Sequence, residues 1–259
     1  MQTETYKNIK VEEVKDGVYE LIFNRPRVLN AVNKALALEV IEVLDLLKEQ
    51  GDARVLILNG EGRSFTVGAD TTAAVEMSDK EYADFNNTFR KMLRKIEQFP
   101  SPVVAMIDGF AFGGGCEISL VCDIRFGSEN ASFRFPGASY GIVLSAGTLS
   151  TLVSLSKAKE LLFSSAIIDA QEAYRIGILN QLVKKEELKN YVHEYADKVV
   201  KNSQTPVEKA KKVLNQLPGE SKLDRKEIEL QATGYLTQNT NQRDTFASFV
   251  EKRKKTRDW

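Results

Sequence analysis

The sequence predicts an α/β body followed by a helical C-terminal region. Three observations carry this. Strand–strand–helix units recur through the first half of the chain. One of them runs from the apolar stretch Pro102-Val103-Val104-Ala105-Met106-Ile107 through Gly113-Gly114-Gly115 into a helix-forming pattern. Beyond position 195 only helical patterns remain, broken at Pro206 and at Pro218-Gly219. The expected division is a site-bearing body over 1–195 and a helical region over 196–259.

Taken in order, residues 7–14 and 17–24 read as two strands joined by a turn at Asp16-Gly17. Pro26 cannot donate to a ladder and ends the second. A helix follows over 33–49, with Leu36, Val40, Val43, Leu44 and Leu47 on one face and Gly51 as its stop. Residues 54–59 are mostly apolar and predict a strand buried on both faces. Residues 60–70 read as a glycine-rich loop whose apolar residues press it against the core or a ligand. Ser78 and Glu81 form a capping box for a helix over 79–98, whose stripe of Tyr82, Phe85, Phe89, Met92, Leu93 and Ile96 is core packing. After the triple glycine come a helix, short strands at 123–126 and 131–135, and a loop from Pro136 to Gly147. Helices are expected at 158–163, 170–176 and 188–200. In the tail, Ile228, Ala232, Tyr235 and Leu236 make one apolar stripe and Phe246, Phe249 and Val250 another. Those stripes must be buried against the body or against a second copy of it.

Composition narrows the function classes. Lys plus Arg and Asp plus Glu number 36 each, so net charge offers nothing for nucleic acid or a membrane surface. The run Lys252-Arg253-Lys254-Lys255 reads as a solvated helix face. No apolar run reaches membrane-spanning length, and no signal-peptide pattern opens the chain. Cys116 and Cys122 read as buried small apolar residues of a reducing compartment, which places the protein in the cytoplasm. The lone histidine, His193, is too little for a His-rich metal site and has a surface or packing role; no metal is expected.

Chemistry concentrates at the triple glycine. A glycine backbone can approach a ligand closely, and the first N–H groups of a helix lack internal partners and carry partial positive charge. A strand–glycines–helix unit therefore suits an anion or a developing oxyanion. Glu117 adds a carboxylate in the first helical turn. The competing structural reading is close helix–strand packing, with Glu117 complementing the helix dipole. A dinucleotide-binding reading is weaker: the spacing is not G-x-G-x-x-G, the element sits mid-chain, and no acidic residue ends a second strand at the usual distance.

The ordered motifs resemble the crotonase superfamily of acyl-CoA enzymes, which includes enoyl-CoA hydratases and isomerases. The matching residues are Phe23-Asn24-Arg25-Pro26 with Leu29-Asn30-Ala31, Ser64-Phe65 with Gly68-Ala69-Asp70, and Asp108-Gly109-Phe110-Ala111 with Gly113-Gly114-Gly115-Cys116-Glu117. They continue through Cys122-Asp123-Ile124-Arg125, Asp169-Ala170-Gln171-Glu172-Ala173, Gly177-Ile178-Leu179-Asn180 and Phe249-Val250-Glu251-Lys252-Arg253-Lys254. The resemblance implies a spiral of β-β-α repeats with a C-terminal helical trimerisation region, assembled as a homotrimer or hexamer. It implies an acyl-CoA substrate and no separate cofactor. Its oxyanion hole would be the N–H groups of Ala69 and Gly114, with Glu117 as general acid/base. Substrate contacts would come from Arg25, Val28, Val67, Gly68, Asp70, Gly137, Tyr140 and Lys252.

One departure bears on the reaction. The family's hydratases use two glutamates; the first matches Glu117, and the position of the second is Gly137. Its neighbours Pro136, Ala138, Ser139 and Tyr140 supply no carboxylate. The family's glycine-rich Pro-Gly-Ala-Gly-Gly-Thr run appears here as Leu144-Ser145-Ala146-Gly147-Thr148, one residue shorter. The expected activity is addition or removal of water at a 2-enoyl thioester with one retained glutamate. The alternatives are isomerisation or decarboxylation within the superfamily, and a catalytically weak acyl-thioester-binding protein.

Overall fold

The structure, a computed structural model, describes residues 6–215 together with 247, 250 and 251. β1 (Ile9–Lys15) and β2 (Val18–Phe23) pair antiparallel across the predicted turn. α1 (Lys34–Gln50) starts where Asn33 Oδ1 accepts the Leu36 N–H at 2.9 Å, and stops at Gly51 in the left-handed conformation. Its five predicted stripe residues are all buried. β3 (Val55–Gly60) and β4 (Ser64–Thr66) lead into α2 (Thr71–Glu76) and α3 (Asp79–Glu97), whose Ser78–Glu81 capping box is present.

The next turn repeats the pattern with β5 (Val103–Ile107), β6 (Phe110–Phe112) and α4 (Gly114–Val121). A third follows with β7 (Ile124–Ser128), β8 (Ser132–Arg134), α5 (Ala146–Leu149) and α6 (Leu155–Ser164). The described body closes with β9 (Ile167–Asp169), α7 (Ala170–Arg175), β10 (Gln181–Val183), α8 (Lys185–Val200) and α9 (Gln204–Asn215).

Each turn contributes its first strand to one sheet and its second to another. The first sheet runs β1-β2-β3-β5-β7-β10 and the second β4-β6-β8-β9. Within them, the β2-β3-β5-β7-β10 and β4-β6-β8 pairings are parallel. Residues 60–70, predicted as loop, therefore contain a strand, and so does the stretch just before the triple glycine. β4, β6, β9 and β10 are three residues each, too short to show an alternation in sequence.

The two-faced burial predicted for β3, which β5 shares, is explained by what covers each face. Leu56, Leu58, Val103, Ala105 and Ile107 join the main core with α1, α3 and α4. Val55, Ile57, Val104 and Met106 alternate with them and meet Leu188, Val192 and Ala196 of α8. His193 lies on that helix, and its Nε2 hydrogen-bonds the buried Glu20 of β2, a packing role. Position 195 falls inside α8. Pro206 sits in the first turn of α9, where a missing N–H is tolerated, so the predicted break lies just before it. The tail stripes, apart from Val250, lie outside the described residues.

Candidate active site

Two separate loops meet at the N-terminus of α4. Gly113 N–H donates to Arg134 O at 2.9 Å, which extends the β6–β8 ladder to the start of the helix. Residues 67–70 come from the end of β4, held by the bridge between Val32 and Ala69. Gly68 has φ of +77°, and a methyl group on it would lie 2.4 Å from Gly114 N. Glycine is needed at 68 both for its backbone conformation and for this contact. A methyl on Gly114 would in turn fall 2.7 Å from Phe89 Cζ and 3.4 Å from Ala69 N. The two main-chain segments thus touch without intervening side chains. The Ala69 and Gly114 N–H groups donate to no backbone acceptor among the described residues.

The segment at 25–31 buttresses this cradle. Arg25 Nη1 is 3.0 Å from Asp70 Oδ2 and also donates to Ala31 O. Asp70 Oδ1 accepts the Ala73 N–H at 3.2 Å and caps α2. Arg25 and Asp70, both predicted to contact substrate, are therefore paired with each other. Asn30 locks the same corner: its Nδ2 donates to Ser64 O at 2.7 Å and Glu61 O at 3.0 Å, and Oδ1 accepts the Arg25 N–H. Val67 N–H donates to Leu29 O at 3.2 Å. Val28 stands exposed at the end of a single helical turn, Pro26–Val28. Lys252 lies outside the described residues.

α4 is fixed at its other end by Arg125. This buried guanidinium donates to the carbonyls of Ser119, Cys122 and Ile178. Burial lowers its pKa, opposed by its electrostatic interactions with Cys122 and Asp123. The motif residues Arg125 and Asn180 thus brace the helix, with Asn180 Oδ1 accepting the Arg125 backbone N–H at 2.9 Å. Cys116 is buried in α4, its Sγ donating to Ala111 O at 2.7 Å, and burial pushes its thiol up.

Glu117 is 2% exposed, one helical turn beyond Gly114. Its Oε1 accepts the Ser145 N–H at 3.3 Å. Of that loop the sequence pointed to Gly137 and Tyr140 as substrate contacts; the structure brings the Ser145 N–H to the carboxylate. Ser139 is exposed and Tyr140 half-buried in the single turn Ala138–Tyr140. The available signal for Ser145 was a serine standing within a run expected to be glycine-rich.

Gly137 is buried, and its surroundings differ from an empty side-chain position. A methyl there would lie 2.8 Å from Ile142 O and 3.0 Å from Leu144 N and Cβ. The returning chain lies against Gly137, so the space a side chain at 137 would enter is taken by the Ile142 carbonyl and by Leu144.

A sequence model of the enoyl-CoA hydratase/isomerase family matches residues 13–258. The chain belongs to the enoyl-CoA hydratase/isomerase family. It is 36% identical over 254 residues to the short-chain-enoyl-CoA hydratase of Clostridium acetobutylicum, covering 95% of this chain and 96% of that one. It is 35% identical to the crotonyl-CoA hydratase of Syntrophomonas wolfei, covering 96% and 97%. Among solved structures, an enoyl-CoA hydratase from Bacillus anthracis superimposes with a TM-score of 0.80 at 30% identity, covering 95% of this chain and 97% of that one. The fold of this family member is thus the crotonase spiral that the ordered motifs imply. Among the described residues no helix is long and apolar enough to cross a membrane.

Proposed function

We propose that this protein adds water reversibly to a 2-enoyl-CoA, using Glu117 as its single acid/base. The observation that carries this reading is the pair of N–H groups at Ala69 and Gly114, held side by side one turn from a buried carboxylate. Two such donors stabilise the negative charge that develops on a thioester oxygen, and one is typically worth about 3 kcal/mol. Glu117 takes a proton from water as its oxygen bonds to the β-carbon; the π electrons move onto the thioester oxygen. The enolate then collapses and takes that same proton from Glu117 at the α-carbon. One water is consumed and the carboxylate is regenerated.

The hydratase names of the full-length relatives support this reading. Coenzyme A is part of the substrate, and no separate cofactor takes part. The segments at Arg25–Val28 and Val67–Asp70 flank the carrier, Gly137 and Tyr140 the acyl group, and Lys252 the CoA phosphates. Residues 196–259 assemble the protein as a trimer or hexamer. The buried thiols of Cys116 and Cys122 favour the cytoplasm. Isomerisation is the second reading, because one carboxylate suffices to move a proton between carbons. A panel of 2-enoyl-, 3-enoyl- and malonyl-type CoA thioesters, with products identified, tests the choice. Hydroxyacyl product from the 2-enoyl thioester supports hydration; double-bond migration or decarboxylation without it replaces that reading. Binding without any turnover would mark an acyl-thioester-binding protein instead.

A further inference from the structure

Ser145 is expensive where it stands. It has φ of +64°, a conformation that costs a non-glycine residue about 1 kcal/mol or more. It occupies the N-cap of α5, yet its side chain does not cap the helix. Its carbonyl does the local work, accepting from Leu149 N at 2.8 Å and Thr148 Oγ1 at 3.3 Å. The hydroxyl is fully buried and has no hydrogen-bond partner among the described residues. A buried, unsatisfied hydroxyl costs about another 1–3 kcal/mol. Glycine at 145 would remove both penalties.

The hydroxyl is three bonds from an N–H that already donates to Glu117 Oε1. The same chain segment covers Gly137, so no carboxylate can share the water with Glu117 from that position. We infer that Ser145 Oγ is the second group on the reacting water, holding it against Glu117 for attack at the β-carbon. This rests on the hydration reading above. Oγ accepts a hydrogen bond from the water proton that is not transferred; the other proton goes to Glu117 and then to the α-carbon. The serine is neither protonated nor consumed, and the atoms balance with one water added.

The test is steady-state hydration of 2-butenoyl-CoA by the full-length protein, its S145A variant and its S145G variant, with thermal melting of each. Both variants should lose roughly 10- to 100-fold in kcat, with KM within about twofold. S145G should melt at or above the wild-type temperature, since it relieves the positive φ. A purely structural serine predicts otherwise: S145G would keep wild-type kcat. That result, or a change confined to KM, overturns the assignment while hydration by the wild type still stands. A wild type that hydrates no 2-enoyl thioester overturns the hydration reading and this inference with it.

Discussion

Two regions meet at Glu117, and they are built in opposite ways. The cradle of Gly68, Ala69 and Gly113–Gly115 is main chain packed on main chain. Its geometry follows from glycine spacing and two positive φ angles, at Gly68 and Gly113, so it depends little on the side chains around it. The segment from Gly137 to Ser145 is defined by how a loop settles: Ile142 and Leu144 lie on Gly137, and Ser145 turns its N–H to the carboxylate. On the proposed reading, the first device would stabilise charge on the thioester oxygen. The second sets what stands beside Glu117, and on the same reading it would select the reaction.

The largest effect should come where the two regions join. Glu117→Gln keeps the size of the side chain but cannot carry a proton. We expect kcat for hydration to fall by about 10²- to 10⁴-fold with little change in KM. Unchanged turnover of every accepted acyl-CoA would remove Glu117 from the chemistry.

Gly68→Ala breaks the cradle alone. Its methyl would press on Gly114 N in a conformation that alanine disfavours. Displacing one oxyanion donor should cost about 3 kcal/mol, near a hundredfold in kcat/KM. The melting temperature should fall as well. Wild-type kcat/KM in this variant would show that the two N–H groups do not act as a pair.

Gly137→Glu challenges the other region. It restores the missing carboxylate in sequence, yet the position is closed by the Ile142 carbonyl and by Leu144. The variant should lose about 2 kcal/mol in chemical denaturation through overpacking, with no gain in kcat. A stable variant with raised kcat would show that the loop yields and that only the side chain was missing.

The smallest effect concerns the approach to the cradle. Asp108 lies between β5 and β6 and accepts from Ser128 Oγ at 2.5 Å, Asn130 Nδ2 at 3.2 Å and Lys185 Nζ. Burial pushes its carboxyl up, but these partners outweigh burial and hold it below the usual aspartate range. A lowered pKa contributes stability above the ordinary value, lost as pH falls through the folded value. Ser128→Ala should therefore cost about 1 kcal/mol at neutral pH, shrinking in acid, without touching kcat. Denaturation at pH 7 and pH 3 checks the sign.

The longer elements were legible because their patterns are local. α1 and α3 show their stripes, caps and stops within single segments, and β3 and β5 show unbroken apolar runs. The three-residue strands were not, because β4, β6, β9 and β10 exist through their ladder partners. The same divide runs through the site. Gly68, Ala69, Gly114 and Glu117 stand in ordered motifs and could be named directly. Arg25 and Asp70 could be named but not paired, since their contact spans 45 positions.

By itself the sequence determined the family, the spiral of strand–strand–helix turns and the glycine cradle. These rest on residue type at short range, where a missing Cβ or a helix start fixes the backbone. It also determined that position 137 lacks a carboxylate. Only the tertiary structure decided what took its place. That outcome depends on a loop packing against a buried glycine and on a serine held at positive φ beside a carboxylate 28 residues away in the chain, and neither contact leaves a local pattern to read.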